Sequence, residues 1–489
     1  MDNQGDTTSG IPATKVTRRS VLRAAGTVAA VGALGATGAV NAAGAVAAGD
    51  LAGTTEVGEE GSYDAIVIGA GYAGVTAARE LRARGRRPLI IEARDRIGGR
   101  TWTQTFAGQR IELGANWFSP SQDLVMKELK RYGFGLSPEG VGPDKAVFPV
   151  EPGRYQEFGL DAFTHYDNLL ARVFEGTRDY FPRPLEPLYA EDKIRAIDGK
   201  SLSDRMDDLK LPARDRLWIS GTLSNYSGGN SADGALTALA QWWALPGHTT
   251  EGWHSLIGQV ADDGMKGLLE AMLADARARV IYRQPVAYIA DDGRRVTVVT
   301  RTGRIFRAPV AVVAVPANVW KHIRFAPGLP PMHAEVAEQG SGVPNAAKFW
   351  ARVRGDVGRV VANGEEGAPI SALFSYYDLG NSEQLMIGFS EDPSLDVSDP
   401  AQLNPVVRRM LPKAEVVDVR AQDWGKDEFA RGGWALRRPG QLTRHLPAVQ
   451  RPHGRIAFAN DGIASGWTGF IDGAIETGFR AAEQAAALV

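Results

Sequence analysis

The spacing of apolar residues along this chain changes several times, and each change predicts a different kind of element. Tyr63-Asp64-Ala65-Ile66-Val67-Ile68 is an apolar run passing straight into a glycine-spaced turn, which predicts a buried strand and then a helix to about Arg84. Arg87-Pro88-Leu89-Ile90-Ile91-Glu92 predicts a second strand ending in a carboxylate. From Ser121 to about His254 apolar positions recur every three or four residues, as in Leu124, Met126, Leu129 and again Leu160, Phe163, Leu169, Leu170 and Val173, so the stretch reads as helical. Phe181-Pro182-Arg183-Pro184-Leu185-Glu186-Pro187 interrupts it, since prolines so placed cannot continue a helix. A helix near Met265 to Ala278 gives way to alternating runs parted by Asp291-Asp292-Gly293 and Thr302-Gly303, the pattern of a small meander. Val310 to Val315 is apolar throughout and belongs in a buried parallel sheet; Ile456 to Gly462 is a further strand, before a helix to about Leu488.

These elements predict an α/β protein in which a Rossmann-like nucleotide domain is interrupted and resumed, over 62–120, 257–330 and 445–489, and interleaved with an α+β substrate domain over 121–256 and 331–444. Residues 1–61 read differently. Thr17-Arg18-Arg19-Ser20-Val21-Leu22-Arg23 precedes a weakly apolar Ala/Gly-rich run from Ala24 to Val40, too rich in glycine for a good transmembrane helix. The pattern fits a twin-arginine export signal with Ala45-Val46-Ala47 as a small-residue cleavage site, against the alternative of a disordered basic tail. Periplasmic or extracellular localisation without a membrane span in the mature protein is the expectation.

Composition narrows the chemistry. The formal charge is −2, so no net field favours nucleic acid or an anionic membrane, and a small molecule is the expected partner. Glycine supplies 57 of 489 residues, well above the ~7% average, which suits tight turns and backbone approaches to a ligand. The absence of cysteine excludes disulfides, thiolate metal sites, a cysteine nucleophile and a thioether-linked cofactor. The 7 histidines show no ligand spacing, so no metal is expected.

Gly69-Ala70-Gly71-Tyr72-Ala73-Gly74 follows the first strand. Gly69 permits the tight turn, Gly71 lets backbone approach a pyrophosphate, and Gly74 lets helix and strand pack closely. Glu92 follows at about the offset where an acid meets a ribose hydroxyl pair, which raises a weak motif above the alternative of an ordinary glycine-rich turn. Ala93-Arg94-Asp95-Arg96-Ile97-Gly98-Gly99-Arg100-Thr101 adds a second glycine turn with arginines suited to a pyrophosphate. Glu112-Leu113-Gly114-Ala115-Asn116-Trp117 reads as a loop running against a flat ring, or as ordinary strand-end packing. Asn225, Tyr226 and the Trp242-Trp243 pair are candidate pocket walls, with core packing the stronger use of the tryptophan pair. Lys348 lies in an apolar run where a lysine ordinarily snorkels outward. The helix opening at Gly466 to Ala474 would turn the positive end of its dipole toward a reduced cofactor.

With these pieces assembled, the chain from about Tyr63 onward resembles the FAD-dependent amine oxidases of the monoamine and polyamine oxidase superfamily. The most specific motifs are Gly69-x-Gly71-x-x-Gly74, Glu92 with Gly98-Gly99-Arg100-Thr101, Glu112-Leu113-Gly114, and Gly469-Phe470-Ile471-Asp472-Gly473-Ala474. Phe181-Pro182-Arg183-Pro184, Trp434 with Pro439-Gly440-Gln441-Leu442, and the leader resemble exported bacterial enzymes oxidising alkaloid amines such as nicotine. The resemblance implies FAD, held noncovalently as no cysteine is present, by Gly69, Gly71, Ala73, Gly74, Glu92, Ala93, Arg94, Gly99, Arg100, Gly114, Ala115, Asn116, Trp117, Val286, Asp461, Ile471 and Ala474. It implies Lys348 near the flavin through a water, and Trp434 and Phe470 as an aromatic cage steering a neutral primary or secondary amine, with Trp117, Asn225 and Tyr226 in the substrate pocket. Oxidation by hydride transfer would give an imine that water hydrolyses; dioxygen or a carrier protein would take the electrons, and a homodimer is left open. Three positions depart from the family pattern. Phe470 stands where tyrosine is common, Asn460-Asp461 replaces a glycine-acid pair, and Trp117 replaces the arginine with which L-amino-acid oxidases hold a carboxylate. A flavin-dependent carbon-carbon desaturase and a redox-inactive flavin-binding module are the alternatives.

Overall fold

The computed structural model describes residues 63–138 and 140–489, so the expected export leader lies outside the described residues. Five parallel strands form the central sheet in the order Ile456–Phe458, Val310–Val313, Ala65–Ile68, Pro88–Ile91, Arg279–Ile281. The central three strands are buried on both faces, which is why their sequences run apolar without alternation. Successive residues serve opposite cores: Ala65 and Val67 meet helices, whereas Ile66 and Ile68 share a core with the meander residues Ile289, Val298 and Phe306.

The helices on that first face are Tyr72–Ala83, Gly264–Ala276 and Ile471–Ala486. Gly478 makes the first and last of them approach closely, since a Cβ there would lie 2.6 Å from the Ala73 carbonyl oxygen. On the other face Val286–Asp291, Val296–Thr300 and Ile305–Ala308 form the antiparallel meander, with Arg324–Ala326 added in parallel. Strands Ile305–Ala308 and Val310–Val313 belong to different sheets, parted at Pro309, which has no N–H to continue a ladder between Ala308 and Val310.

A second, seven-stranded sheet runs in the order Glu415–Asp423, Ala347–Arg354, Glu383–Ser390, Ala372–Gly380, Val360–Asn363, Lys145–Glu151, Arg154–Phe158. Its last two strands correct the reading of 121–256 as helical: they form a hairpin turned by Pro152-Gly153, and alternation puts Ala146 and Phe148 in one core and Val147 in another. Helices Ala162–Val173, Ala213–Tyr226 and Leu236–Ala244 supply the helical part as expected. Among the described residues no helix is long and apolar enough to cross a membrane, and no group of three or more His, Asp or Glu could hold a metal.

One buried ion pair ties the first helix to helix Asp123–Tyr132. The Arg79 guanidinium donates to both Glu128 carboxylate oxygens at 2.5 and 2.7 Å, with side chains only 3% and 4% exposed. Removing one partner leaves the other charge buried with a lesser contact, Glu128 with Arg131 at 3.7 Å or Arg79 with Glu80 at 3.1 Å. Arg79→Ala is therefore expected to cost about 3–5 kcal/mol in denaturant unfolding, while Arg79→Met with Glu128→Leu recovers most of the loss. Equal stability of the single and double variants would refute this.

Candidate active site

Strand Ala65–Ile68 ends at Gly69, whose φ of +104° favours glycine; a Cβ there would also meet the Ala314 carbonyl oxygen at 2.7 Å. Gly71 and Gly99 face one another with room to spare, the nearest atoms to an added Cβ being 3.8 and 3.7 Å away. Gly74 is the one predicted cofactor residue that does not line the cavity. Its missing side chain serves the strand-helix contact instead, for a Cβ would lie 2.0 Å from the Gly69 carbonyl oxygen. Glu92 is buried, accepting from Ala70 N at 2.7 Å and Arg94 N at 2.8 Å. Burial pushes its carboxyl pKa up, opposed by those two backbone donors and by Arg94 and Arg96.

The arginines are more committed to protein than their sequence suggests. Arg96 donates to the carbonyls of Ile97, Gly99 and Thr101 at 3.1–3.2 Å, bracing the glycine turn from behind; burial and neighbouring Arg94 lower its pKa to about 10. Arg94 pairs with Asp427, and Arg100 pairs with Asp461 while donating to Gly433 O at 2.6 Å. Arg94 and Arg100 line the cavity and Arg96 does not.

The Glu112–Gly114 loop is held one carbonyl at a time. Trp350 Nε1 donates to Glu112 O at 2.9 Å, Trp424 Nε1 to Leu113 O at 2.9 Å, and Lys348 Nζ to Gly114 O at 3.0 Å. Lys348 thus points inward and is 4% exposed, with Nζ 4.6 Å from the Trp117 ring centroid. The Glu112 carboxyl below it accepts from Thr103 Oγ1 at 2.6 Å and Met265 N at 2.9 Å; burial pushes its pKa up, opposed by those bonds and by Lys348.

Gly69, Gly71, Glu92, Arg94, Gly99, Arg100, Gly114, Trp117, Lys348 and Trp424 meet in one cavity of about 680 Å³, lined also by Ala73, Ala93, Ala115, Asn116, Val286, Asp461, Ile471 and Ala474 at its nucleotide side and by Asn225, Tyr226, Trp434 and Phe470 at the other. Trp434 Nε1 donates to Tyr226 O at 3.0 Å, and Phe470 packs edge-on against Trp242 at 4.7 Å and Trp467 at 5.3 Å. Trp242 is a wall residue, while its neighbour Trp243 stays in the core. Asn225 Nδ2 donates to Ser371 Oγ at 2.6 Å. Asn460 is extended, with φ −164°, and its Oδ1 accepts from Gly462 N at 2.9 Å, so the departure from glycine costs no unusual dihedral. Ser371, Phe374 and Phe389 line the cavity unforeseen; Phe389 lies opposite Lys348 in the strand register, a relation visible only once the sheet is paired.

A flavin dinucleotide fits this site. The cradle at Gly71 and Gly99 is open to it, and Asn116 Nδ2, Trp117 Nε1 and Asn460 Nδ2 are buried donors in lining residues that have no partner among the described residues. The comparisons agree. A family profile described as flavin-containing amine oxidoreductase matches residues 72–486. A pseudooxynicotine dehydrogenase from a Pseudomonas species is 33% identical, over 87% of this chain and 86% of its own. A nicotine dehydrogenase from Pseudomonas putida is 34% identical, over 86% and 88%. The solved structure of putrescine oxidase bound to putrescine matches with a TM-score of 0.74 at 23% identity, covering 87% of this chain and 99% of that one, which bears on the fold.

Placing a side chain at Gly74 tests the cradle directly. Gly74→Val must separate strand from helix at an overpacking cost of about 1–3 kcal/mol, and it is expected to retain FAD roughly tenfold or more weakly. Flavin absorbance per protein and FAD titration of the stripped protein measure this; unchanged affinity would count against the assignment.

Proposed function

The chain belongs to the flavin-containing amine oxidoreductases, and on that premise we propose that its cavity oxidises a neutral monoamine carried on an apolar or aromatic body, with nicotine-type alkaloids the first class to test. The observation that carries this reading is that Lys348, Trp434 and Phe470 line the same cavity as the glycine turn. Among the described lining residues the only carboxylates are Glu92 and Asp461, one held by backbone donors of the glycine turns and the other by Arg100. Both are already engaged by protein donors, which favours a monoamine over a diamine carrying a second ammonium group. The names of the two dehydrogenases above, and of a 29% identical (S)-6-hydroxynicotine oxidase from Paenarthrobacter nicotinovorans, support an alkaloid amine.

Bound FAD supplies the acceptor for a hydride from the carbon next to nitrogen, leaving an imine that water hydrolyses. The protein's own contribution is alignment: Trp434 and Phe470 wall the amine on two sides, and their value lies in proximity and orientation. Lys348 is assigned to hold water at the reacting end. The Gly69, Gly99 and Gly114 turns, with Glu92, are assigned to the dinucleotide. Trp117 in place of an arginine leaves an amino-acid carboxylate without a partner at that position, so free amino acids are excluded from the proposal. The desaturase alternative has no supporting observation, since both rings line the nucleotide cavity.

The holoenzyme mixed anaerobically with alkaloid, polyamine and arylalkylamine candidates is expected to bleach with aromatic or alkaloid monoamines and not with diamines. The rate should rise with pH as the amine loses its proton, because only a neutral nitrogen has the lone pair that forms the C=N bond as hydride leaves the adjacent carbon. Bleaching by no amine at any pH would overturn the function. Reoxidation by air against a cytochrome then identifies the acceptor. Acid precipitation should release all of the flavin, as expected of noncovalent FAD, and colour retained in the pellet would refute that. Export by the twin-arginine route remains part of the proposal; a reporter fused to residues 1–61 should leave the cytoplasm, and Arg18→Lys with Arg19→Lys should retain it.

A further inference from the structure

Arg437 is a buried cation without an ion-pair partner among the described residues. Its side chain is 5% exposed, and burial lowers its pKa to about 10, so it carries its charge at neutral pH. The guanidinium donates only to neutral acceptors: Gln241 Oε1 at 2.7 Å, Ala464 O at 3.1 Å and Thr468 Oγ1 at 2.5 Å. Burying a charge among neutral groups costs free energy that an apolar side chain would not. What an apolar side chain cannot do is join three segments with one rigid fork.

Those three segments carry the cage. Arg437 follows Trp434 by three residues, and Thr468 precedes Phe470 by two. Gln241 adjoins Trp242, the ring against which Phe470 packs and whose Nε1 donates to Thr468 O at 2.9 Å. The Gln241 amide is itself fixed, its Nε2 donating to the carbonyls of Pro184 and Ser465 at 2.7 Å each. Trp434 and Phe470 each lean on other rings, Trp434 on Tyr226 and Phe389, Phe470 on Trp242 and Trp467. The gap between them is therefore set by the segments on which they ride.

We propose that Arg437 is a positioning residue that fixes the gap between Trp434 and Phe470, and through that gap selects which amines are aligned for oxidation. The proposal rests on the amine-oxidising reading of the cavity. A displacement of the order of 1 Å at a reacting group can cost roughly a hundredfold in rate, so a loosened gap acts on slender and bulky amines unequally.

The test compares Arg437→Met and Thr468→Val with Thr468→Ser, which keeps the accepting hydroxyl, in the flavin-loaded enzyme. For a slender and a bulky amine, each oxidised by the parent, the limiting rate of flavin reduction is measured at saturating substrate. Arg437→Met and Thr468→Val should keep the parent's FAD content and dithionite reduction yet shift the ratio of the two limiting rates by roughly tenfold or more, while Thr468→Ser keeps the parent ratio. A parental ratio in either disrupting variant overturns the proposal, as does a ratio displaced equally by Thr468→Ser and Thr468→Val. Should Arg437→Met fail to fold, the threonine pair decides. A parent that no amine reduces would instead be a failure of the amine reading.

Discussion

Three hydrogen bonds to successive carbonyls of the Glu112–Gly114 loop hold the two halves of this structure in register. Their donors, Trp350, Trp424 and Lys348, come from the seven-stranded sheet or the turn that follows it, and their acceptors come from the segment after the second glycine turn. A loop carbonyl buried without a donor costs the desolvation of a polar group, so the loop cannot lie here unless the sheet supplies all three. Gly114 leaves no alternative path for the chain: a side chain there would lie 1.9 Å from the Arg100 carbonyl oxygen. The position of Lys348 and the position of the glycine turns are in this way one constraint, and the cavity between them has fixed walls.

Electrostatics divides the same cavity. The charged groups of its nucleotide side, Glu92, Arg94, Arg100, Arg301 and Asp461, are all paired with protein groups, so that side presents turns and backbone donors already arranged. The opposite side is built of rings, with the Asn225–Ser371 pair as a fixed polar contact. Such a wall orients a ligand by shape and leaves its protonation to the solvent.

The nucleotide half was the more legible in sequence, and the reason is local. Gly69, Gly71 and Glu92 act within one strand-turn-helix-strand unit, where spacing along the chain is spacing in the fold. Trp434 and Phe470 are assigned through the family resemblance of the motifs around them, and nothing local shows that they ride on segments joined by Arg437. Phe389 and Ser371 reach the cavity through strand pairing, which no local pattern displays. The Lys145–Phe158 hairpin is hidden among helical spacings because its alternation is short and its first strand is covered on both faces. Arg96 misled in the opposite direction: its place beside a glycine turn suits a pyrophosphate, yet its donors fold back on the turn itself.

The order of strands in the parallel sheet has a consequence for biogenesis. The edge strand Ile456–Phe458 comes from near the end of the sequence and pairs with Val310–Val313, which pairs with the first described strand. A nascent polypeptide emerging from the ribosome can form the opening turn early but cannot finish the sheet until Ile456–Phe458 has been synthesised. Pairing across such long separations is slow and exposes unpaired edges meanwhile. The cavity's walls are accordingly complete only after Asp461 and Phe470 have also emerged, so the opening glycine turn waits on a distant part of the chain to close over it.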